Sequence, residues 1–257
     1  MGSSGDRPAR FLNHDYPQVI PEPDDIKVGG PAPWAQLDAT KRTGLTLPLV
    51  TSALRRAGRT LDVAAMPASP LDLEGVTREN RELITRRSAV LVALFEEAGE
   101  THVVLTRRSF ALRSHRGEIA FPGGRSDMDE TPIETALREA NEEVGLDPSR
   151  VAPVGWLSPI VTFASGSAIW PVVGVLDERP DLVTDPAEVE RAFTAPLFEL
   201  LEDGAFVEER WRRERRSDGG DAEGYFPIYF YRVPGDLIWG ATARVLTELL
   251  CCVTGVQ

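Results

Sequence analysis

The chain has 257 residues, with 40 acidic and 28 basic side chains and a formal net charge of -12. That length suits one large domain or two small ones, and 42% hydrophobic and 26% charged residues are globular proportions that argue against wholesale disorder. The acidity argues against a general nucleic-acid binder, since polyanions are held by fields of Lys and Arg, but leaves room for a small anionic substrate where a metal or a local Arg cluster reverses the field.

Residues 1–35 hold six of the twenty prolines and four glycines without a hydrophobic period, and read as an extended or disordered arm. Residues 36–84 read as an N-terminal extension with a short helix over 47–57 and a Pro-containing connector. Order is expected to begin near Ser88. Residues 89–95 are a continuous apolar run, the mark of a buried strand. A turn over 96–100 leads to a returning strand over 101–106. A short apolar run at 119–121 ends in Pro122-Gly123-Gly124, a turn signal.

The clearest helix is expected over 132–144, with Pro132 in its first turn and Gly145 just past its last. Strands are expected over 151–161, 168–176 and 189–195, then a short helix from Pro196 to Leu201. Residues 206–211 and 225–233 read as a hairpin around a polar loop. The charged run 208–216 reads as its exposed face, and Glu188 as a solvated surface carboxylate. A final amphipathic helix is expected over 237–253, with Trp239 as a packing anchor. Arg244 and Glu248 interrupt that stretch, so no membrane helix is expected, and the N-terminus lacks an apolar core of signal-peptide length. The only cysteines, Cys251 and Cys252, are neighbours, too close for an unstrained bridge; this fits a reducing cytoplasm. Strands and helices interleave around hairpins, so the expected class is mixed α/β or α+β.

The chemistry concentrates between Gly124 and Leu146. On a helical wheel Glu139, Glu142 and Glu143 fall within one arc of roughly 100°, opposite Ile133, Ala136, Leu137, Ala140 and Val144. Like charges at this spacing repel unless neutralised, and all-oxygen ligands suit Mg²⁺ or Mn²⁺. Gly124 stands six residues before Glu130, which stands eight before Arg138-Glu139-Ala140-Asn141-Glu142-Glu143-Val144-Gly145-Leu146. This spacing resembles the Nudix box, G-x5-E-x7-R-E-U-x-E-E-x-G-U with U a bulky aliphatic residue. Ala140 is its one mild departure.

The resemblance spans about residues 85–250, and 85–257 are assigned to a Nudix domain that includes the C-terminal helix. It implies an α/β/α sandwich with a mixed sheet, and hydrolysis of a diphosphate linked to another moiety. By the same carry-over Glu139, Glu142 and Glu143 would hold the metal, Arg138 would steer the glutamates, and Glu130 would support the loop or a water. Glu139 and Glu142 are both candidates for the general base, which leaves that choice open.

Upstream, residues 105–116 carry four arginines and no acid, a local inversion of charge. With the residues that follow, Thr106, Arg108, Ser109, Arg113, Gly117 and Phe121-Pro122-Gly123-Gly124 resemble the signature of the coenzyme A diphosphatase branch of Nudix, with Val104 in place of a Leu. That resemblance implies phosphate contacts from Arg108 and Arg113 and a substrate pocket shaped by Phe121, Gly123 and Gly124. His115 reads as a solvated loop histidine. The expected activity is metal-dependent cleavage of coenzyme A or its thioesters. Another nucleoside diphosphate derivative, and a non-catalytic ligand sensor, stand as alternatives. Homodimerisation is expected only because dimers are the commonest assembly.

Overall fold

A computed structural model of the chain describes residues 18–21, 23, 25–59, 84, 86–162, 166–212 and 224–256. Two sheets organise it. The larger is mixed. Strand β2 (Arg86–Glu97) runs parallel to β8 (Ser167–Val175) and antiparallel to β3 (Glu100–Arg108). β6 (Ala152–Trp156) and β7 (Ile160–Thr162) pair with β8, and β9 (Val189–Pro196) pairs with β3.

Successive side chains of a strand point to opposite faces, and β2 shows it. Val92 and Leu94 enter one apolar cluster, whereas Leu91, Ala93 and Phe95 enter another. The second cluster is closed by helix α2 (Pro132–Val144) through Ala136, Ala140 and Val144. The first is closed by α1 (Leu47–Arg56), the short α3 (Leu197–Leu200) and α4 (Gly240–Thr254). The sheet is thus covered by helices on both faces, which is the expected sandwich. Among the described residues no helix is long and apolar enough to cross a membrane.

Near the middle of the sheet β2 and β3 diverge. β3 continues against β4 (Ile119–Ala120), while β2 continues against β5 (Gly123–Arg125). Pro122-Gly123-Gly124, expected as a turn, therefore includes the start of a strand. Glycine is required at 123. Its φ is +154°, and a Cβ there would lie 2.4 Å from the carbonyl oxygen of Ala89.

The smaller sheet is antiparallel, in the order β1 (Ile26–Val28), β10 (Phe206–Arg212), β11 (Tyr225–Val233), β12 (Asp236–Trp239). Two sequence expectations change here. The described arm runs through β1 and turns at residues 33–36, and it packs on the core. β1 pairs with β10, Ile20 and Ile26 pack on the Trp211–Phe230 cluster, and Trp34 lies between Phe206 and Tyr231 at 1% exposure. An added edge strand needs no hydrophobic period, and one buried Trp carries a large apolar payload. Residues 1–17 of that arm, and residues 60–83, which hold most of the connector, lie outside the described residues.

The second change concerns residues 237–239, expected as helix. They form β12 against β11. Leu237 enters one cluster and Ile238 another, a period of two hidden inside a short apolar run. Gly240, at φ +64°, resets the backbone at the first residue of α4. The strand expected over 151–161 is likewise two, β6 and β7, joined through buried Leu157. Glu209, inside the run expected to be exposed, is buried and accepts a hydrogen bond from the Trp211 indole at 2.6 Å. Trp239 packs 6.1 Å from Trp211, as an anchor should.

Candidate active site

Helix α2 is set at both ends by local chemistry. Thr131 accepts a hydrogen bond from the Glu134 amide while the Glu134 carboxylate accepts one from the Thr131 amide, a reciprocal cap. Gly145 ends the helix in the left-handed conformation, its amide donating to the carbonyls of Ala140 and Asn141. With both ends fixed, the Ala136–Ala140–Val144 stripe on the sheet sets how far each glutamate reaches over β5.

The three glutamates differ sharply. The Glu142 side chain is 59% exposed, Glu139 14% and Glu143 3%. Glu143 sits over β5, where it accepts a hydrogen bond from the Gly123 amide at 3.0 Å. Burial pushes its carboxyl up to about 7; the Gly123 amide and Arg108 pull the other way, and the charges of Glu139 and Glu188 add to the rise. Burial also raises Glu139. Gly124 lies under Glu139, where an added Cβ would come 2.4 Å from a carboxylate oxygen. The glycine that heads the box thus makes room for a glutamate side chain.

Arg138 gathers the outer carboxylates. Its Nε donates to Glu130 at 2.7 Å, and one Nη serves Glu139 at 3.1 Å and Glu142 at 2.8 Å. The other Nη donates to Glu130 and to the carbonyl of Arg125, both at 3.0 Å. These bonds from Arg138, joined by the Asp127 amide and the Thr135 hydroxyl, hold Glu130 at about 2. Glu130 is thus an ionised brace between the loop and the helix at neutral pH.

Among the described residues no three His, Cys, Asp or Glu side chains converge closely enough to hold an ion as they stand. Arg138 holds Glu139 and Glu142, and Glu143 is turned to Gly123 and Arg108. The donors nevertheless fit a hard divalent cation. They are all oxygens, and Glu139 and Glu143 are carboxylates whose burial is incompletely compensated by the protein.

The upstream residues divide. Arg108 Nη1 lies 3.5 Å from Glu143, and its Nε is buried without a hydrogen-bond partner among the described residues. Arg113 is exposed, with no ion pair to another described residue. Phe121 departs from expectation. At 2% exposure its ring packs in the core where β2 and β3 diverge, directly before Pro122 to Gly124, so it could shape a pocket only from beneath. His115 bonds Glu118 at 2.9 Å, which raises its pKa.

Glu188 is exposed, as read, yet it belongs to the site. Its carbonyl accepts the Ser109 amide at 2.8 Å, and its charge reaches both Glu139 and Glu143. The signal for it is the β3–β9 pairing, which lies about 80 residues away in sequence and is invisible to local periodicity.

The chain is similar in sequence to proteins of one family. The family model for the NUDIX domain matches residues 85–214. "Uncharacterized Nudix hydrolase NudL" of Photorhabdus laumondii is 38% identical over 169 residues, 64% of this chain and 83% of that protein. "Nudix hydrolase 3" of Caenorhabditis elegans is 41% identical over 171 residues, 63% of this chain and 71% of that one. "Nudix hydrolase 15, mitochondrial" of Arabidopsis thaliana is 41% identical over 168 residues, but the match spans only 56% of its length and 63% of this chain. Among solved structures, a C. elegans Ap4A hydrolase binary complex is similar over 44% of this chain and 80% of that one, with 19% identity and a TM-score of 0.38. With the family model covering half the chain and relatives of this identity matched over most of their length, the protein belongs to the Nudix hydrolase family.

Proposed function

We propose that this Nudix protein hydrolyses the diphosphate bond of coenzyme A or its acyl thioesters with Mg²⁺ or Mn²⁺. The products are adenosine 3′,5′-bisphosphate and 4′-phosphopantetheine or its acyl form. The observation that carries the reading is the approach of Arg108 to Glu143. It joins the upstream arginine pattern to the glutamate helix at one place, so a diphosphate held by one is presented to the other.

A divalent cation bound by Glu139, Glu142 and Glu143 would neutralise phosphoryl oxygens and acidify a water. The protein's own groups do the rest. Water forms the new bond to phosphorus, the bridging P–O bond breaks, and the water's proton passes to Glu139 or Glu142. Arg138 holds both carboxylates through one Nη and so orients them, and Glu130 keeps Arg138 in place. Arg108 and Arg113 contact the substrate phosphates, while Gly123 lets β5 lie against β2 and Gly124 lets it approach Glu139. A homodimer would follow only from dimers being the commonest assembly; we place the protein in the cytoplasm acting on a small molecule, with neither nucleic acid nor a membrane as partner. Its two free cysteines and net charge of -12 support that reading.

The test is purified protein with a substrate panel and defined metals. Coenzyme A should be cleaved to the two named products. Turnover of another nucleoside diphosphate derivative, with coenzyme A intact, would remove the substrate assignment. No turnover of any would favour a ligand sensor, although a sensor has no need of all three glutamates.

A further inference from the structure

Asp236 is a charged residue with 2% exposure in the smaller sheet, outside the glutamate site. It accepts from Arg107 Nε at 2.8 Å and Arg107 Nη2 at 2.5 Å on one oxygen, and from Arg191 on the other. Arg107 also reaches the Gly235 carbonyl at 3.2 Å, and the Arg191 guanidinium stacks over Phe193 at 4.6 Å. Arg107 and Arg191 face each other across β3 and β9. One step further the register breaks, because Arg108 pairs with Val189 and Glu190 is left over. Irregularities of this kind bend a strand and re-aim its side chains. Here they sit between Arg107, whose side chain meets Asp236, and Arg108, whose side chain meets Glu143. The residue before Val189 is Glu188, bonded through its carbonyl to Ser109.

We propose that Asp236 is a positioning residue for the glutamate site. By clamping Arg107 and Arg191 on one face of the sheet it holds the irregularity in β9, and so fixes Arg108 and Glu188 beside Glu143 on the other face. The smaller sheet then does more than cover a core. It sets the geometry of the phosphate-facing arginine.

The test is Asp236→Asn in the full chain, read in two ways. Residue-resolved hydrogen exchange should show the Ser109 amide exchanging at least tenfold faster, while the Leu91 amide, bonded to the Pro122 carbonyl at 2.8 Å, stays as protected as before. Unchanged protection at Ser109 overturns the proposal. This readout does not depend on the substrate. The kinetic readout rests on the diphosphatase reading. Per folded molecule, kcat should fall at least fivefold in the wild-type background and less than twofold in an Arg108→Ala background. An equal loss in both, or a lowered Tm with kcat unchanged, overturns it. If Asp236→Asn does not fold, Arg191→Lys keeps the charge at a side chain 41% exposed and carries the same two expectations.

Discussion

Two charged clusters meet across the larger sheet, and they are built from the same residue types in opposite proportion. On the α2 side Glu130, Glu139, Glu142 and Glu143 share Arg138 and the more distant Arg108. At the smaller sheet a lone Asp236 is held by two arginines. A buried carboxylate whose oxygens are both met by guanidinium groups has little left to offer a ligand. The glutamate cluster is undercompensated, and burial raises two of its members. The difference separates a clamp from a site. Charge is needed in both, but only the glutamate cluster is short of positive charge, so only there does a cation improve the balance.

The largest effect should come from breaking the buried end of the glutamate cluster. Glu143→Gln removes charge but keeps shape and the bond from Gly123. Activity on the diphosphate substrate should fall by at least about two orders of magnitude, the scale of losing a key electrostatic group. The same variant tests the pKa. In the cation-free protein the folded value is about 7, above the usual 4.5. This proton therefore favours the folded state below pH 4.5, and that contribution is lost as pH rises through 7. If Glu143 ligates Mn²⁺ as proposed, the ion displaces this proton, so wild-type affinity for Mn²⁺ should weaken as pH falls below 7, by at most about tenfold per unit. Titration calorimetry across pH 5–8 checks this, and Glu143→Gln should flatten that slope.

A smaller effect should separate the two glycines under the cluster. At Gly123 a methyl group meets backbone, the Ala89 oxygen at 2.4 Å and Val90 Cα at 2.5 Å, and φ is already +154°. Gly123→Ala should therefore cost fold stability, seen as a Tm lower by several degrees. At Gly124 the three nearest atoms to the methyl all belong to the Glu139 carboxylate, the far end of a flexible side chain. Gly124→Ala should leave Tm within about two degrees and reduce kcat roughly tenfold, by moving a glutamate that must be held closely. A similar loss of Tm in both would mean that Gly124 serves the fold rather than the site.

These residues also mark what the sequence could say. The glutamate stripe, Arg138, Glu130 and the caps of α2 all lie within one 24-residue stretch, so their relations follow from helical spacing. Gly123 could be flagged as a turn residue, but its partner strand begins about 35 residues earlier, so the clash that demands glycine was not legible. Glu188 and Asp236 reach their positions through β9 and β12, whose pairings are long-range. Residues 237–239 misled because a short apolar run fits either period. Trp34 was hidden by a Pro-rich context whose composition is that of a tail.

The smallest effect is expected at Arg113. Unlike Arg107 and Arg191 it has no carboxylate partner among the described residues, and unlike Arg108 it does not face Glu143. Its side chain is exposed and unpaired with any described carboxylate, so Arg113→Ala should leave Tm unchanged. If it grips a substrate phosphate in ground and transition state alike, KM should rise about three- to tenfold with kcat constant, and the gap from wild type should narrow in high salt. A fall in kcat instead would place Arg113 with the groups that act only in the transition state. No change in either constant would confine phosphate recognition to Arg108 and leave the rest of the basic stretch as a solvated loop.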